Sequence, residues 1–196
     1  MSDSTAAARI DASLERLIQL GLATPNSILP AKAADIAEAE RRYGPLPAAF
    51  RRYLERAGRG IGRLHACTDL EEPWWLLHIR DSFDAMTAAD GSPLIRPTDI
   101  VIGNHQGYIV QILVGDGDDP AIVELKEGES GSITIGASFT GWLADLVESS
   151  AEAERRRARR ERENGVRHPR NDVTVYPAEG TGWRRLLRRA IWRLRA

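Results

Sequence analysis

The run from Ile102 to Val114 constrains the fold of this chain more than any other segment. It begins with a turn bracketed by Gly103 and Gly107, continues as an apolar, β-branched run, and is separated by Gly115–Pro120 from a second such run at Ala121–Leu125. Two β-branched runs around a turn of Gly, Asp and Pro predict two paired strands. The polar residues lie in the turns, and neither strand carries a nucleophile, a general base or a pair of metal ligands. The segment therefore indicates a binding scaffold.

Three helices are predicted before this hairpin and one after it. Ile10 and Leu14 belong to an apolar pattern at helical spacing that Gly21 ends, so we expect an amphipathic helix there. Pro45 and Pro47 keep the next two helices apart, because proline suits the first turn of a helix but not its interior. The predicted helices are Thr5–Leu20, Ala31–Tyr43, Ala48–Ala57 and one that begins after an N-cap at Ser138.

Short apolar runs separated by turn residues fill the middle of the chain. This spacing is typical of a meandering, mostly antiparallel sheet, with a short helix expected at Asp81–Ala89. Because helices come first, strands follow and a helix closes the pattern, we expect an α+β fold with helices packed on a central sheet. The predicted strands are Ile61–Cys67, Trp74–Ile79, Ile100–Ile102, Tyr108–Val114, Ala121–Leu125 and Ser132–Ile135.

The net charge of −1 hides a division along the chain. Residues 1–150 carry 13 Lys and Arg against 22 Asp and Glu, whereas residues 151–196 carry 14 Arg against 6 acids. An acidic body with a basic tail suggests either a tail that folds back or two surfaces for different partners. We expect an N-terminal amphipathic helix and linker at 1–26, a body at 27–150 and a basic helical tail at 151–196. The helical pattern at Ala151–Glu163 fits a separate helix or an extension of the helix after Ser138.

The compartment is predicted from what the sequence lacks. A single cysteine, Cys67, excludes an internal disulfide, and no apolar run approaches the roughly 18 residues of a membrane-spanning helix. The segment Met1–Ile10 has small and acidic residues where a secretory signal would carry a basic start and an apolar stretch. We therefore expect a cytoplasmic protein.

Two motifs resemble ligand loops without matching their context. The glycines of Gly58–Gly62 end a helix and begin a strand, whereas a phosphate-binding loop follows a strand and begins a helix. Asp116 and Glu127 have the spacing of the ends of a calcium loop, but Pro120 and Ala121 stand inside it and strands flank it. We expect a helix-ending turn in the first case and a tight acidic hairpin turn in the second.

No residue set in the sequence is arranged for catalysis. His65 and Cys67 share one strand face and so allow a metal pair, although a core thiol beside a rim histidine is favoured because no second ligand pair follows. A nucleophile elbow and paired catalytic carboxylates are also missing from the pattern. We expect a protein that is not an enzyme and that holds no cofactor or metal.

Trp74 and Trp75 are adjacent, so in a strand they point to opposite faces and only one can enter a given core. The other is expected to lie under the N-terminal or tail helix, or to serve as an aromatic anchor for a partner. Asp69, Glu71 and Glu72 come just before the pair and would form an acidic rim or a solvated loop.

The end of the chain predicts a basic amphipathic helix over Trp183–Arg195. Its apolar residues share one face with Trp183, and its arginines lie largely opposite. Such a helix can dock on an acidic body, lie on an anionic membrane surface, bind a partner's groove or attract nucleic-acid phosphates. The residues expected to make these contacts are Trp183, Arg184, Arg185, Arg188 and Arg189.

Four segments, in this order, resemble the SUKH superfamily, which is named after the yeast Smi/Knr cell-wall regulator. They correspond to its first helix, the Leu-Pro start of its second helix, its central glycine-containing strand pair and its closing Phe and Trp-Leu helix. The resemblance extends over about residues 27–148 and departs from the family at Ala57–Gly60 and at Tyr108, which replaces an acidic residue. The four segments are Ala34–Gly44, Leu46–Leu54, Ile102–Leu113 and Ser138–Leu143.

The bacterial members of this superfamily are largely immunity proteins of toxin systems, so the resemblance implies a binding function. We expect a non-enzymatic protein that occludes a partner toxin, with a nuclease as the first candidate, through an acidic face and a Trp74 or Trp75 anchor. The alternative is a regulatory or scaffolding module whose tail binds a membrane or nucleic acid. The acids expected on the face are Asp69, Glu71, Glu72, Asp116, Asp118 and Asp119.

Overall fold

The computed structural model describes residues 3–64, 69–70, 90–96, 99–105, 108–129 and 131–165. In these residues the helices are α1 (Asp3–Gln19), α2 (Ala33–Tyr43), α3 (Ala48–Ala57) and α4 (Phe139–Asn164), and a 3₁₀ turn spans Pro25–Ser27. The strands are β1 (Ile28–Leu29), β2 (Gly60–Ile61), β3 (Asp69–Leu70), β4 (Ile100–His105), β5 (Ile109–Val114), β6 (Ala121–Lys126) and β7 (Ser132–Gly136). The predicted strand at Trp74–Ile79, the helix at Asp81–Ala89 and the tail beyond residue 165 lie outside the described residues.

The strands form an antiparallel meander, which confirms the predicted α+β class. Five of them pair in the order β3-β4-β5-β6-β7, while β1 and β2 form a separate two-stranded ribbon. The predicted hairpin is the pair β5–β6, whose register runs from Ile109 opposite Lys126 to Val114 opposite Ala121. Chain order and sheet order coincide, and from β4 to β7 each strand is joined to its neighbour by a short connection.

Helix ends follow the local signals in the sequence. Gly21 ends α1 with a φ of 70°, and the bonds from Leu22 N to Leu17 O and from Gly21 N to Ile18 O form a Schellman motif. Ser138 caps α4 by accepting a hydrogen bond from Gly141 N at 3.1 Å. Helix α4 then continues without a break to Asn164, so the Ala151–Glu163 segment is an extension of the predicted Ser138 helix.

The main core lies between the helices and one face of the five-stranded sheet. Phe139 of α4 packs edge-on against Phe50 and Tyr53 of α3, at centroid distances of 5.5 and 5.6 Å. Ile10 of α1 is fully buried in the same cluster. The opposite face of the sheet is also buried, in a second cluster. Its members are Ile95, Val101, Val110, Ile112, Val123 and Leu125.

The N-terminal helix is thus part of the domain core. Ala6, Ile10 and Leu14 of α1 share a cluster with residues of α3 and α4. Between these helices, Arg52 of α3 donates to the carboxylate of Asp11 at 2.7 Å, and this bond raises the pKa of the arginine. The apolar face of α1, which its amphipathic pattern predicted, therefore packs on α3 and α4.

Candidate functional site

The acidic turn between β5 and β6 lies at the N-termini of two helices. The backbone oxygen of Asp118 accepts a hydrogen bond from Ala49 N at the start of α3, at 2.8 Å. The carboxylate of Asp119 accepts bonds from Thr140 N at 2.9 Å and from Thr140 Oγ1 at 2.6 Å. Because first-turn N–H groups of a helix have no partner within the helix, the turn satisfies donors that would otherwise be orphaned.

The three acids of this turn therefore have different surroundings. The Asp119 side chain is only 9% exposed, and its carboxylate lies 4.0 Å from the guanidinium of Arg9 in addition to its bonds with Thr140. Asp118 is half-buried, whereas Asp116 is exposed. The predicted hairpin turn is present, and among its acids Asp116 is the one directed most freely to solvent.

Acidic residues are concentrated along the sheet and the start of α4. Residues 101–150 contain eight Asp and Glu but only one basic residue, Lys126. Asp116 marks one end of the β5–β6 pair, while Glu127 and Glu129 lie in the β6–β7 turn at the other end, all three exposed. This part of the domain therefore carries an excess of negative charge, with exposed carboxylates at both ends of the β5–β6 pair.

Two exposed apolar residues toward the end of the sheet away from the acidic turn were missed by the sequence analysis. Tyr108 is 38% exposed and Ile133 is 61% exposed, while Glu127 N donates to Tyr108 O at 2.9 Å. Lys126 binds Glu129, and this hydrogen bond raises the pKa of the lysine. Exposed apolar side chains beside carboxylates are typical of a binding surface. The sequence feature that could have indicated a surface here is the cluster of three glutamates at residues 124–129.

A shallow groove of about 420 Å³ runs between α1 and α4. Arg16 Nε donates to Glu148 Oε1 across the groove at 2.6 Å. This bond raises the pKa of Arg16 and lowers the pKa of the Glu148 carboxyl. Ala12 and Ala144 also line the groove, and Arg16 already binds its one carboxylate, Glu148, so the groove offers a contact surface.

The glycines of Gly58–Gly62 have structural roles. A Cβ at Gly58 would lie 2.8 Å from both Ala31 Cβ and Leu54 O, and one at Gly62 would lie 2.6 Å from Ala23 Cβ. Arg59 N donates to Leu29 O at 2.8 Å, which ties the segment to the β1–β2 ribbon. The close approach of backbones explains these glycines without a phosphate ligand.

The described ranges contain neither a cluster of metal ligands nor a membrane-spanning helix. There, no group of three or more His, Cys, Asp or Glu side chains is placed to hold a metal ion. None of the helices in this part of the chain is both long enough and apolar enough to span a bilayer. His65 and Cys67 lie outside the described residues.

Most of the predicted anchor residues also lie outside the described ranges. The backbone of Asp69 pairs with Asn104 in the β3–β4 register. Glu71, Glu72, Trp74 and Trp75 are not described, nor is the tail. The undescribed tail residues named above are Trp183, Arg184, Arg185, Arg188 and Arg189. Their partner contacts stay predictions.

The comparisons with known proteins agree with the resemblance read from the sequence. No curated protein matches the chain. The model of the SMI1 / KNR4 family (SUKH-1) matches residues 30–145, which is more than half of the chain and spans α2, α3, the five-stranded sheet and the start of α4. On that match and this fold, the chain belongs to the SMI1 / KNR4 family (SUKH-1).

Proposed function

We propose that this protein is a non-enzymatic binding protein of the immunity type, which neutralises a partner toxin by covering its active surface. The family includes toxin-immunity and Smi1/Knr4 regulatory roles, and the former requires a surface for a protein partner. The observation that carries the proposal is the ratio of eight acids to one base in residues 101–150. A basic enzyme that acts on nucleic acid would find phosphate-like charges on this surface, so a nuclease is the proposed target.

The mechanism has an electrostatic and an apolar part. Exposed carboxylates at Asp116, Glu127 and Glu129 accelerate the encounter with a basic toxin, because opposite fields raise association rates. Affinity then depends on buried apolar anchors, since rim charges contribute mainly to rate and specificity. Tyr108 and Ile133, which are 38% and 61% exposed, are proposed as anchors in addition to Trp74 or Trp75.

The test uses the toxin domain encoded beside this protein's gene. Calorimetry and an RNA- or DNA-cleavage assay should detect binding and inhibition by the full chain. The triple charge reversal Asp116→Lys, Glu127→Lys and Glu129→Lys should slow association by about tenfold or more at low salt and reduce its salt dependence. Glu15→Lys reverses an exposed acid on α1 and serves as the matched control. Failure of the wild-type chain to bind, or unchanged kinetics in the triple variant, would contradict the proposal.

A second candidate function rests on the charge of the tail. Residues 151–196 carry 14 arginines against 6 acids, which suits a module that holds a protein with its body and an anionic membrane or nucleic acid with its tail. Deletion of residues 166–196 separates the two functions, because it leaves α4 intact to its end at Asn164 and keeps its C-cap, Gly165. An immunity protein retains protection against the toxin after this deletion, whereas a tail-dependent scaffold loses its localisation.

A further inference from the structure

Strand β7 has an open edge in the described sheet. It pairs with β6 on one side and is the last strand in the order β3-β4-β5-β6-β7. Ser132, Ile133 and Thr134 are all exposed, with Ile133 at 61%. Because alternate residues of a strand direct their N–H and C=O groups to opposite sides, this edge offers main-chain donors and acceptors to another strand.

Over Ser132–Thr134 the edge carries neither of two common devices that prevent strand addition, a charge or a proline. The sequence of β7 is Ser-Ile-Thr-Ile-Gly, which contains no charge and no proline and has three consecutive β-branched residues. Edge strands of monomeric proteins are commonly protected by lysine, proline or a bulge. A register shift opposite Ile122 and Val123 disturbs the Gly136 end of β7, and a Cβ at Gly136 would lie 2.7 Å from Trp142 Cβ. The exposed part is therefore Ser132–Thr134.

The charges around this edge indicate what would bind there. Glu124 stands directly opposite Ile133 in the β6–β7 register, and Glu127 and Glu129 lie in the turn that leads into β7. Lys126, the one Lys or Arg in residues 101–150, is already bound by Glu129. A second copy of the acidic body would bring like charges to this edge, whereas an extended segment rich in Lys and Arg would meet opposite charges.

We propose that β7 takes up an extended, basic segment of the partner protein, which extends the sheet by one strand. Main-chain hydrogen bonds to Ser132–Thr134 supply affinity, the side chain of Ile133 supplies an apolar contact, and the glutamates select for positive charge. This inference rests on the proposed binding of a basic toxin and names the strand to which that toxin attaches.

Amide hydrogen exchange in the complex is the direct test. The full chain is compared free and bound to the toxin domain encoded beside its gene. We expect an amide of Ser132–Thr134 that faces away from β6 to exchange about tenfold or more slowly in the complex, because it becomes hydrogen-bonded. The amide of Asn26, an exposed residue of the 3₁₀ turn, serves as an internal control and should be unchanged.

Proline substitutions supply an independent readout. Ile133→Pro and Thr134→Pro are made separately, since adjacent residues point their N–H groups to opposite sides of the strand. The variant that keeps the wild-type melting temperature has lost only an outward N–H, and it should bind the toxin about tenfold or more weakly. Ile133→Lys protects the edge with a charge instead of a ring and should also weaken binding if both prolines unfold the chain.

The outcomes separate this inference from the proposed function. If the toxin binds with wild-type affinity to the folded edge variants and leaves the β7 amides unprotected, the strand-addition proposal is overturned while toxin binding stands. If the wild-type chain does not bind the toxin, both proposals fail. If sedimentation shows that the free chain dimerises and Ile133→Lys abolishes the dimer, the edge binds a second copy and the basic-segment proposal is overturned.

Discussion

The carboxylate of Asp119 holds both the backbone nitrogen and the hydroxyl of Thr140, at 2.9 and 2.6 Å respectively. These bonds connect the β5–β6 turn to the first turn of α4, across 21 positions of sequence. Together with the bond from Ala49 N to Asp118 O, they attach the sheet to the N-termini of two core helices.

Replacement of Asp119 should therefore reduce stability. Asp119→Ala leaves two donors at the α4 N-terminus without this acceptor and should lower the free energy of unfolding by about 1–2 kcal/mol. Urea unfolding measures the loss. Asp116→Ala removes an exposed acid from the same turn and should change the free energy of unfolding by less than about 0.5 kcal/mol. Equal losses in the two variants would show that Thr140 does not depend on Asp119.

Gly62 and Gly21 allow the cost of a left-handed backbone to be measured separately from the cost of steric overlap. Their φ values are 69° and 70°, yet a Cβ at Gly21 meets nothing within 4 Å while one at Gly62 lies 2.6 Å from Ala23 Cβ and 2.7 Å from Leu22 O. Gly21→Ala should lower the free energy of unfolding by about 1–2 kcal/mol, the cost of left-handed backbone for alanine. Gly62→Ala should lower it by about 1–3 kcal/mol more, because of overpacking. Equal losses in thermal unfolding would contradict the close contact at Gly62.

The helices and strands could be predicted because their signals are local. Residues Ala48–Ala57 were predicted as a helix from proline before them and glycine after them, and α3 has these bounds. Glycine and acidic turn residues likewise located β5 and β6. Such signals act within a few residues, so periodicity and turn chemistry suffice to identify them.

The tertiary contacts between these elements, and the side chains they leave exposed, could not be predicted in the same way. Asp119 was expected to face a partner because a carboxylate in a turn is ordinarily solvated, and its contact with Thr140 exists only after the sheet packs on α4. The exposure of Ile133 depends on β7 being an edge strand, and no residue of β7 encodes the sheet order. Tertiary contacts of this kind arise from packing, which a periodic pattern does not report.

The place of α1 in the core leads to a prediction about residues that precede the family match. That match begins at residue 30, yet Ile10 is fully buried among residues of α3 and α4. Ile10→Ala should lower the free energy of unfolding by about 2–5 kcal/mol, as expected for a large cavity in a shared core. Ile133→Ala makes the same change at a side chain that is 61% exposed and should cost less than about 1 kcal/mol. A small loss at Ile10 in denaturant unfolding would mean that α1 is an appendage.

The ion pair between Arg16 and Glu148 makes one contribution to stability depend on pH. The hydrogen bond from Arg16 lowers the pKa of the Glu148 carboxyl, so the folded state favours the ionised form. The contribution is therefore fully present above the unfolded pKa of about 4.3 and is lost as the pH falls through the lowered folded value. Glu148→Gln should be less stable than the wild-type chain at neutral pH. The difference should shrink as the pH falls through the lowered folded pKa of Glu148, because the protonated glutamate is uncharged like the glutamine that replaces it. High salt should also shrink the difference, since the side chains of Arg16 and Glu148 are both half exposed.

Urea unfolding as a function of pH measures the difference in stability between Glu148→Gln and the wild-type chain. Glu15→Gln replaces an exposed acid on the same helix as Arg16 and controls for the change in net charge. A difference that persisted undiminished at the acid end would assign the effect of Glu148 to packing in the α1–α4 groove instead of to its charge.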